Sequence, residues 1–131
     1  MVSIQRPSER WRHIVESERA DVAAGRVPEI EAAAIQFWPP RFIAAVDAAL
    51  GRFEQDVAAL DPASDAAVLQ AVERVVLALN EADHPEGLIE SGERDELIAF
   101  IQRVLTLAGV DVHALLKRRG SDELTSPWRT W

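Results

Sequence analysis

The feature that most constrains this chain is the spacing of its apolar residues, which alternates between three and four positions over long stretches. The clearest example is the apolar stripe over residues 42–60, formed by Phe42, Val46, Ala49, Phe53, Val57 and Leu60. Residues at these spacings share one face of an α-helix, so the stripe predicts an amphipathic helix packed on a core. Gly51 lies inside this helix at a cost of about 1 kcal/mol relative to alanine. Its presence predicts close packing of another helix there.

Residues that favour helix starts and ends divide the rest of the chain into further helices. We expect a first helix capped by Ser8 and followed by Gly25, then a short helix from Pro28 to Trp38, then the stripe helix, which Pro40 opens. A fourth helix runs from the Asp61-Pro62 break to about Glu81. A fifth is capped by Ser91 and followed by Gly109, and a last helix runs from Asp111 to Gly120. No strand-like alternation interrupts them. The sequence therefore predicts an all-α single domain over residues 1–131. We expect a compact bundle of about five helices, with residues 1–7 and the tryptophan-containing residues 121–131 as extended tails.

Composition narrows the classes of function. The 131 residues carry a formal net charge of −8 and include no cysteine. Without cysteine there are no disulfides and no thiolate chemistry. The negative charge disfavours nucleic acids and anionic membranes, which bind through Lys and Arg. No apolar run approaches the roughly 20 residues that cross a bilayer, and residues 1–7 lack a signal-peptide pattern, so we expect a cytoplasmic protein.

The densest chemical feature is an acidic segment over residues 81–96. Three interpretations stay open. The segment is a solvated loop leading to a helix whose N-terminus the carboxylates stabilise, or a recognition surface for a basic partner, or a metal site of Asp83, His84, Glu86 and Glu90. The recognition interpretation assigns partner binding to Glu81, Asp83, Glu86, Glu90, Glu93 and Glu96. The pattern of a known metal-binding loop is absent, so we expect neither a metal nor a cofactor.

The four tryptophans also need an interpretation. Trp11 lies on an apolar helix face and Trp38 precedes a double proline, and both predict core packing. Trp128 and Trp131 stand on either side of Arg129-Thr130. They are expected either to fold back into a groove between helices or to anchor another subunit, because Trp and Arg are enriched at interface hot spots.

Catalytic motifs are missing from the sequence. We find no metalloprotease helix motif, no nucleophile elbow, no phosphate-binding loop and no dinucleotide fingerprint. The histidines are far apart, and His13 with Glu9 is the pattern of a surface ion pair. The expectation is that no catalytic residue is present.

Two stretches carry a resemblance. Residues 79–97, with the segments Leu79-Asn80-Glu81 and Gly87 through Leu97, and the ending Trp128-Arg129-Thr130-Trp131 resemble small high-GC bacterial proteins of unassigned function. The resemblance covers the C-terminal half and implies no activity. In size, acidity and lack of cysteine, the chain is also similar in type to bacterial immunity proteins, which bind and block a toxin.

These observations favour a non-enzymatic acidic module that binds a protein partner of basic charge. Its most concrete form is an immunity-like inhibitor of a basic bacterial toxin. The alternatives are a structural homo-oligomer that pairs through the 42–60 stripe and a carboxylate-based metal-binding enzyme.

Overall fold

The computed structural model describes residues 4–131, and regular structure in this part of the chain is entirely helical. The α-helices are α1 (Pro7–Ala23), α2 (Ala34–Phe37), α3 (Pro40–Ala59), α4 (Asp65–Asp83), α5 (Ser91–Leu107) and α6 (Val112–Arg119), with a 3-10 turn at Glu29–Glu31. Five of these helices have eight residues or more and pack together in a compact fold. The predicted all-α bundle of about five helices is confirmed.

The apolar stripe over residues 42–60 forms the centre of the core. Phe42, Val46 and Phe53 are essentially inaccessible to solvent, and Ala49 and Val57 are also buried. The stripe faces α4 on one side and α1 on the other. Its apolar area is therefore used inside this domain and is not available for pairing with a second copy.

A stack of three aromatic rings attaches α1 to the segment that follows it. Trp11 is completely buried. Its ring lies 5.9 Å from the ring of Trp38, at an interplanar angle of 9°, and 5.6 Å from the ring of Phe42, at 11°. Aromatic pairs at these separations add to the free energy of apolar burial. The predicted core positions of Trp11 and Trp38 are confirmed, with Trp38 half-buried against the core.

The starts of α1 and α5 differ from prediction by one or two residues. Arg6 is the cap residue of α1, since Pro7 is preorganised for the first helical position. Ser8 is instead buried inside the helix, where its hydroxyl donates a hydrogen bond to Asp47 at 2.8 Å. Glu90 rather than Ser91 is the cap residue of α5. At α5 the side chains of Glu90 and Glu93 satisfy the helix end, whereas the side chain of Arg6 makes no capping hydrogen bond at α1.

The predicted short helix from Pro28 to Trp38 is divided into two single turns. The 3-10 turn ends at Ala32, whose backbone is extended, and α2 begins at Ala34. The carboxylate of Glu18 accepts a hydrogen bond from the Ala34 backbone N–H at 2.9 Å. A side chain from α1 therefore provides the hydrogen bond that a continuous helix would have supplied.

The close approach predicted at Gly51 involves a side chain rather than a helix backbone. An alanine Cβ at Gly51 would lie 3.3 Å from Nη2 of Arg6. Nε of Arg6 donates to Glu54 at 2.6 Å, and Nη1 lies 3.3 Å from Asp47. The hydrogen bond to Glu54 is the main reason that the pKa of Arg6 is raised. Gly51 thus leaves room for a guanidinium that joins the start of α1 to α3.

The start of α4 and the end of α6 are joined by a second ion pair. Nε and Nη2 of Arg118 each donate to the carboxylate of Asp65 at 2.8 Å. These hydrogen bonds lower the pKa of Asp65 below its usual value of 3.8. Asp65 is the first residue of α4, where negative charge also interacts favourably with the helix dipole.

Residues 121–131 form the predicted tryptophan-containing C-terminal tail, and this tail folds back onto the helices. Trp131 is only 8% exposed and belongs to the core, and Trp128 is partly buried against it. The amide of Asn80 fixes the tail: its Nδ2 donates to the Trp128 carbonyl at 2.8 Å, and its Oδ1 accepts from the Thr130 N–H at 3.2 Å. Of the two interpretations of the tryptophan tail, folding back is the one observed. In the other predicted tail, residues 1–3 lie outside the described part of the chain, and Pro7 is already helical.

The length and hydropathy of the helices can be compared with what a membrane crossing requires. Among residues 4–131, no single helix is long and apolar enough to cross a bilayer, although α5 and α6 taken together meet the length and composition criteria with a bend of 110° between them.

Candidate functional site

The acidic segment over residues 81–96, called the acidic junction below, connects α4 to α5 at one end of the bundle. It contains the last turn of α4, the loop 84–90 and the first turns of α5. Seven carboxylates lie in these sixteen residues, with Arg94 as the only Arg or Lys. The structure assigns several of these carboxylates to contacts within the chain.

Asp83 holds the loop in place. Its carboxylate accepts a hydrogen bond from the Ile89 backbone N–H at 2.6 Å, and its carbonyl accepts one from the Gly87 N–H at 2.7 Å. Ile89 is buried in the core. The loop is therefore anchored at both ends, and Asp83 has a structural role that its position in sequence did not reveal.

Two other carboxylates form ion pairs with arginines that are distant in sequence. Glu86 is bound by Arg41 of α3. Glu96 is bound by both Nε and Nη2 of Arg10 of α1, with the Nε distance at 3.1 Å. These pairs partly neutralise the acidic junction and connect it to two other helices.

Glu90 and Glu93 form a capping box at the start of α5. The carboxylate of Glu93 accepts a hydrogen bond from the Glu90 backbone N–H at 3.1 Å. Satisfying the free N–H groups of a helix start in this way typically stabilises the helix by about 1 kcal/mol.

Five carboxylates of the acidic junction have no cation within 4.0 Å in residues 4–131, and one of them, Asp83, is bound to the Ile89 N–H. The other four are Glu81, Glu90, Glu93 and Asp95. Glu81, Glu90 and Asp95 are exposed, and Glu93 is half-buried. The surface that remains after internal pairing is therefore negatively charged. Because the loop beneath it is anchored, this charge is held in a fixed arrangement.

Metal binding finds no geometric support in the described residues. Over residues 4–131 no three His, Asp or Glu side chains come together as ligands for one ion. The sequence had suggested Asp83, His84, Glu86 and Glu90 as one interpretation. Asp83 and Glu86 instead bind a backbone N–H and an arginine, respectively.

The remaining candidate binding residues, Trp128 and Trp131, belong to the folded-back tail. Trp131 contributes its side chain to the core, while Trp128 keeps part of its surface at the edge of a small groove beside Leu69 and Leu116. An anchoring role for the tail stays a prediction, and Trp128 is the residue with surface to serve it.

A larger groove adjoins the acidic junction, and sequence reasoning did not identify it. It lies between α3 and α4, has a volume of about 520 Å³, and carries Glu81 on its rim. Its charged rim residues are Arg41, Arg52, Asp56, Arg74 and Glu81. The groove is formed by two helices together, so only the outward-facing Ala45, Ala48 and Leu77 could have indicated it from sequence.

Comparisons with known proteins give no further guide to the site. No protein-family model, curated protein or solved structure matches the chain. The resemblance noted from the sequence therefore stays a prediction, and a function has to be argued from the acidic junction and the groove themselves.

Proposed function

We propose that this chain is a non-enzymatic binding module whose acidic junction recognises a basic protein. The observation that carries the proposal is that, apart from the loop anchor Asp83, four carboxylates of the acidic junction have no cationic partner within residues 4–131: Glu81, Glu90, Glu93 and Asp95. Fixed charges of one sign speed the association of oppositely charged proteins and select among them. A preorganised surface also loses less entropy when it binds.

The finer form of the proposal is an immunity-like inhibitor of a basic bacterial toxin. The support for it is the combination of a small helical domain, a net charge of −8 and a negative surface anchored by Asp83 and Ile89. A negative surface of this kind would cover a cationic active site by charge complementarity. Trp128 supplies apolar area that is separate from the acidic junction.

The test must remove charge without removing helix caps. The triple variant Glu90→Ser, Glu93→Gln, Asp95→Asn does this, because Ser is a preferred cap and Gln preserves the capping box. Tagged wild-type chain and variant are used to capture proteins from lysate of the source organism at low and high salt. We expect one basic protein to be captured by the wild type at low salt, to be depleted at high salt, and to bind the variant about tenfold more weakly.

The matched control removes three exposed carboxylates elsewhere: Glu16→Gln, Glu31→Gln and Asp122→Asn. It changes the net charge equally, so capture by the control should equal capture by the wild type. If both triple variants lose the captured protein equally, the effect is one of net charge and the acidic junction is not the site. A captured toxin whose activity is blocked by the wild-type chain would establish the finer proposal.

A further inference from the structure

The outward face of α3 and α4 has an unusual charge pattern along the groove between them. Residues at helical spacing line the groove from each helix: Arg41, Ala45, Ala48, Arg52 and Asp56 from α3, and Arg74, Leu77, Ala78 and Glu81 from α4. Arg41, Asp56, Arg74 and Glu81 lie towards the two ends of the groove; its middle is lined by small or apolar side chains and by Arg52, one turn from Ala48. Leu77 is 48% exposed there, which is high for a large apolar side chain.

Each helix carries one pair of opposite charges at about equal distances from the middle of the groove, whereas Arg52 of α3 has Ala45 at its counterpart position and lies outside this pattern. On α3, Arg41 and Asp56 lie at about equal distances on either side of Ala48. On α4, Arg74 and Glu81 lie at about equal distances on either side of the pair Leu77 and Ala78. If each helix lies against an antiparallel copy of itself, the arginine of each pair therefore lies opposite the carboxylate of the copy.

We propose that a second copy of this chain packs on the face that contains the groove, forming a two-fold dimer through α3 and α4. The two-fold axis lies across the helices at the level of Ala48 and Leu77, so that each helix runs antiparallel to its own copy. Arg41 of one copy then faces Asp56 of the other, and Arg74 faces Glu81. Each of these pairs occurs twice, as a two-fold interface requires.

Small side chains at the middle of the face allow the helices to approach closely. Ala45 and Ala48 are exposed on α3, and Ala78 accompanies Leu77 on α4. A helix of the length of α3 spans about 30 Å, and two adjacent helices are about 20 Å wide. The face therefore offers roughly 600 Å², which approaches the ~800 Å² per partner of a stable interface.

The rim charges favour a second copy over a small ionic ligand. Arginines and carboxylates both line the groove, and Arg74 already lies 3.5 Å from the carboxylate of Asp56 within the chain. A ligand of a single sign, such as a phosphate, would meet like charge in this groove. A second copy in antiparallel orientation would meet opposite charge at both ends.

The first experiment measures the molar mass of the full chain by sedimentation equilibrium over a range of concentrations. We expect the wild type to reach twice the mass of one chain. Ala48→Glu places two like charges at the axis and should raise the dissociation constant at least about tenfold. The control Ala99→Glu makes the same change at an exposed position of α5 and should leave the dissociation constant unchanged. The proposal would be overturned if the wild type were monomeric at every concentration, or if Ala48→Glu left the dissociation constant of the dimer unchanged.

A charge exchange tests the orientation. Glu81→Arg alone places arginines opposite each other and should weaken the dimer, whereas Glu81→Arg together with Arg74→Glu should restore much of the affinity. Circular dichroism of each variant verifies that the monomer is folded, so that loss of association is not loss of structure. Absence of any restoration in folded protein would reject this two-fold arrangement. Ala48→Glu and Ala99→Glu leave every carboxylate of the acidic junction in place, so the molar-mass result is independent of the test of partner binding. Glu81→Arg removes one of those carboxylates, so the charge exchange is evaluated by self-association alone.

Discussion

At the scale of single residues, two side chains at the start of α1 contact carboxylates of α3 that are about forty positions away or more. Ser8 has the sequence context of a helix cap, but its buried hydroxyl donates a hydrogen bond to the carboxylate of Asp47, 39 positions away. Arg6 crosses α3 at Gly51 to reach Asp47 and Glu54. Local sequence indicated a cap and a close approach, and the identity of the contacting groups depended on the tertiary fold.

The first prediction concerns the coupling of Gly51 to Arg6. Gly51→Ala should gain about 0.5–1 kcal/mol from helix propensity, but its Cβ would lie 3.3 Å from Nη2 of Arg6 and displace a guanidinium held by two carboxylates. We therefore expect little net change in the free energy of unfolding in the wild type. In the Arg6→Ala background the same substitution should show the full gain. Urea denaturation of the four proteins measures the coupling, and equal effects in both backgrounds would contradict it.

At the scale of helices, the sequence predicted which helices exist more accurately than where each one begins and ends. The long helices α1, α3, α4 and α5 follow from apolar periodicity and from the glycine and proline residues between them. The prediction of one helix from Pro28 to Trp38 was wrong, because the carboxylate of Glu18 in α1 accepts the Ala34 N–H at the start of a new turn. Nothing within residues 28–38 indicates that external hydrogen bond.

The second prediction concerns the ion pair between α4 and α6. The pKa of Asp65 is lowered in the folded chain by hydrogen bonds from Arg118. The stabilisation is therefore complete above the unfolded value, near 3.8, and is lost as the pH falls through the lower folded value. We expect an NMR titration of the Asp65 carboxyl to have its midpoint below 3.8. In Arg118→Gln the midpoint should return towards the ordinary value, and an identical midpoint in both proteins would contradict the assignment.

At the scale of the whole molecule, the acidic junction illustrates the limit of sequence reasoning about the site. The concentration of carboxylates was visible in residues 81–96, but their cationic partners Arg10 and Arg41 come from α1 and α3. Sequence alone could not separate the carboxylates that stabilise the fold from those that remain available. The groove between α3 and α4 was invisible for the same reason, since it requires two helices in register.

The third prediction concerns the aromatic stack that connects α1 to the rest of the bundle. Trp11→Ala should lower the free energy of unfolding by about 3–5 kcal/mol, because it leaves a cavity between Trp38 and Phe42. That is a large part of the 5–15 kcal/mol typical of a whole domain. Trp11→Phe is the matched control: it keeps an aromatic ring and removes no hydrogen bond, since Nε1 of Trp11 has no hydrogen-bond partner among residues 4–131. Urea unfolding should place the control between the wild type and Trp11→Ala, and equal losses in the two variants would argue against a stacking role.

The arrangement of the tryptophans has a spectroscopic consequence. The chain has no tyrosine, so its near-ultraviolet signal comes almost entirely from four indoles. Two of them, Trp11 and Trp38, are stacked where α1 meets the start of α3, and the other two belong to the tail fixed by Asn80. Replacing either pair by phenylalanine would leave an intrinsic fluorophore that reports on one region only. Detachment of the tail and separation of α1 could then be followed separately, one in each variant, as shifts of the tryptophan emission maximum and with no extrinsic dye.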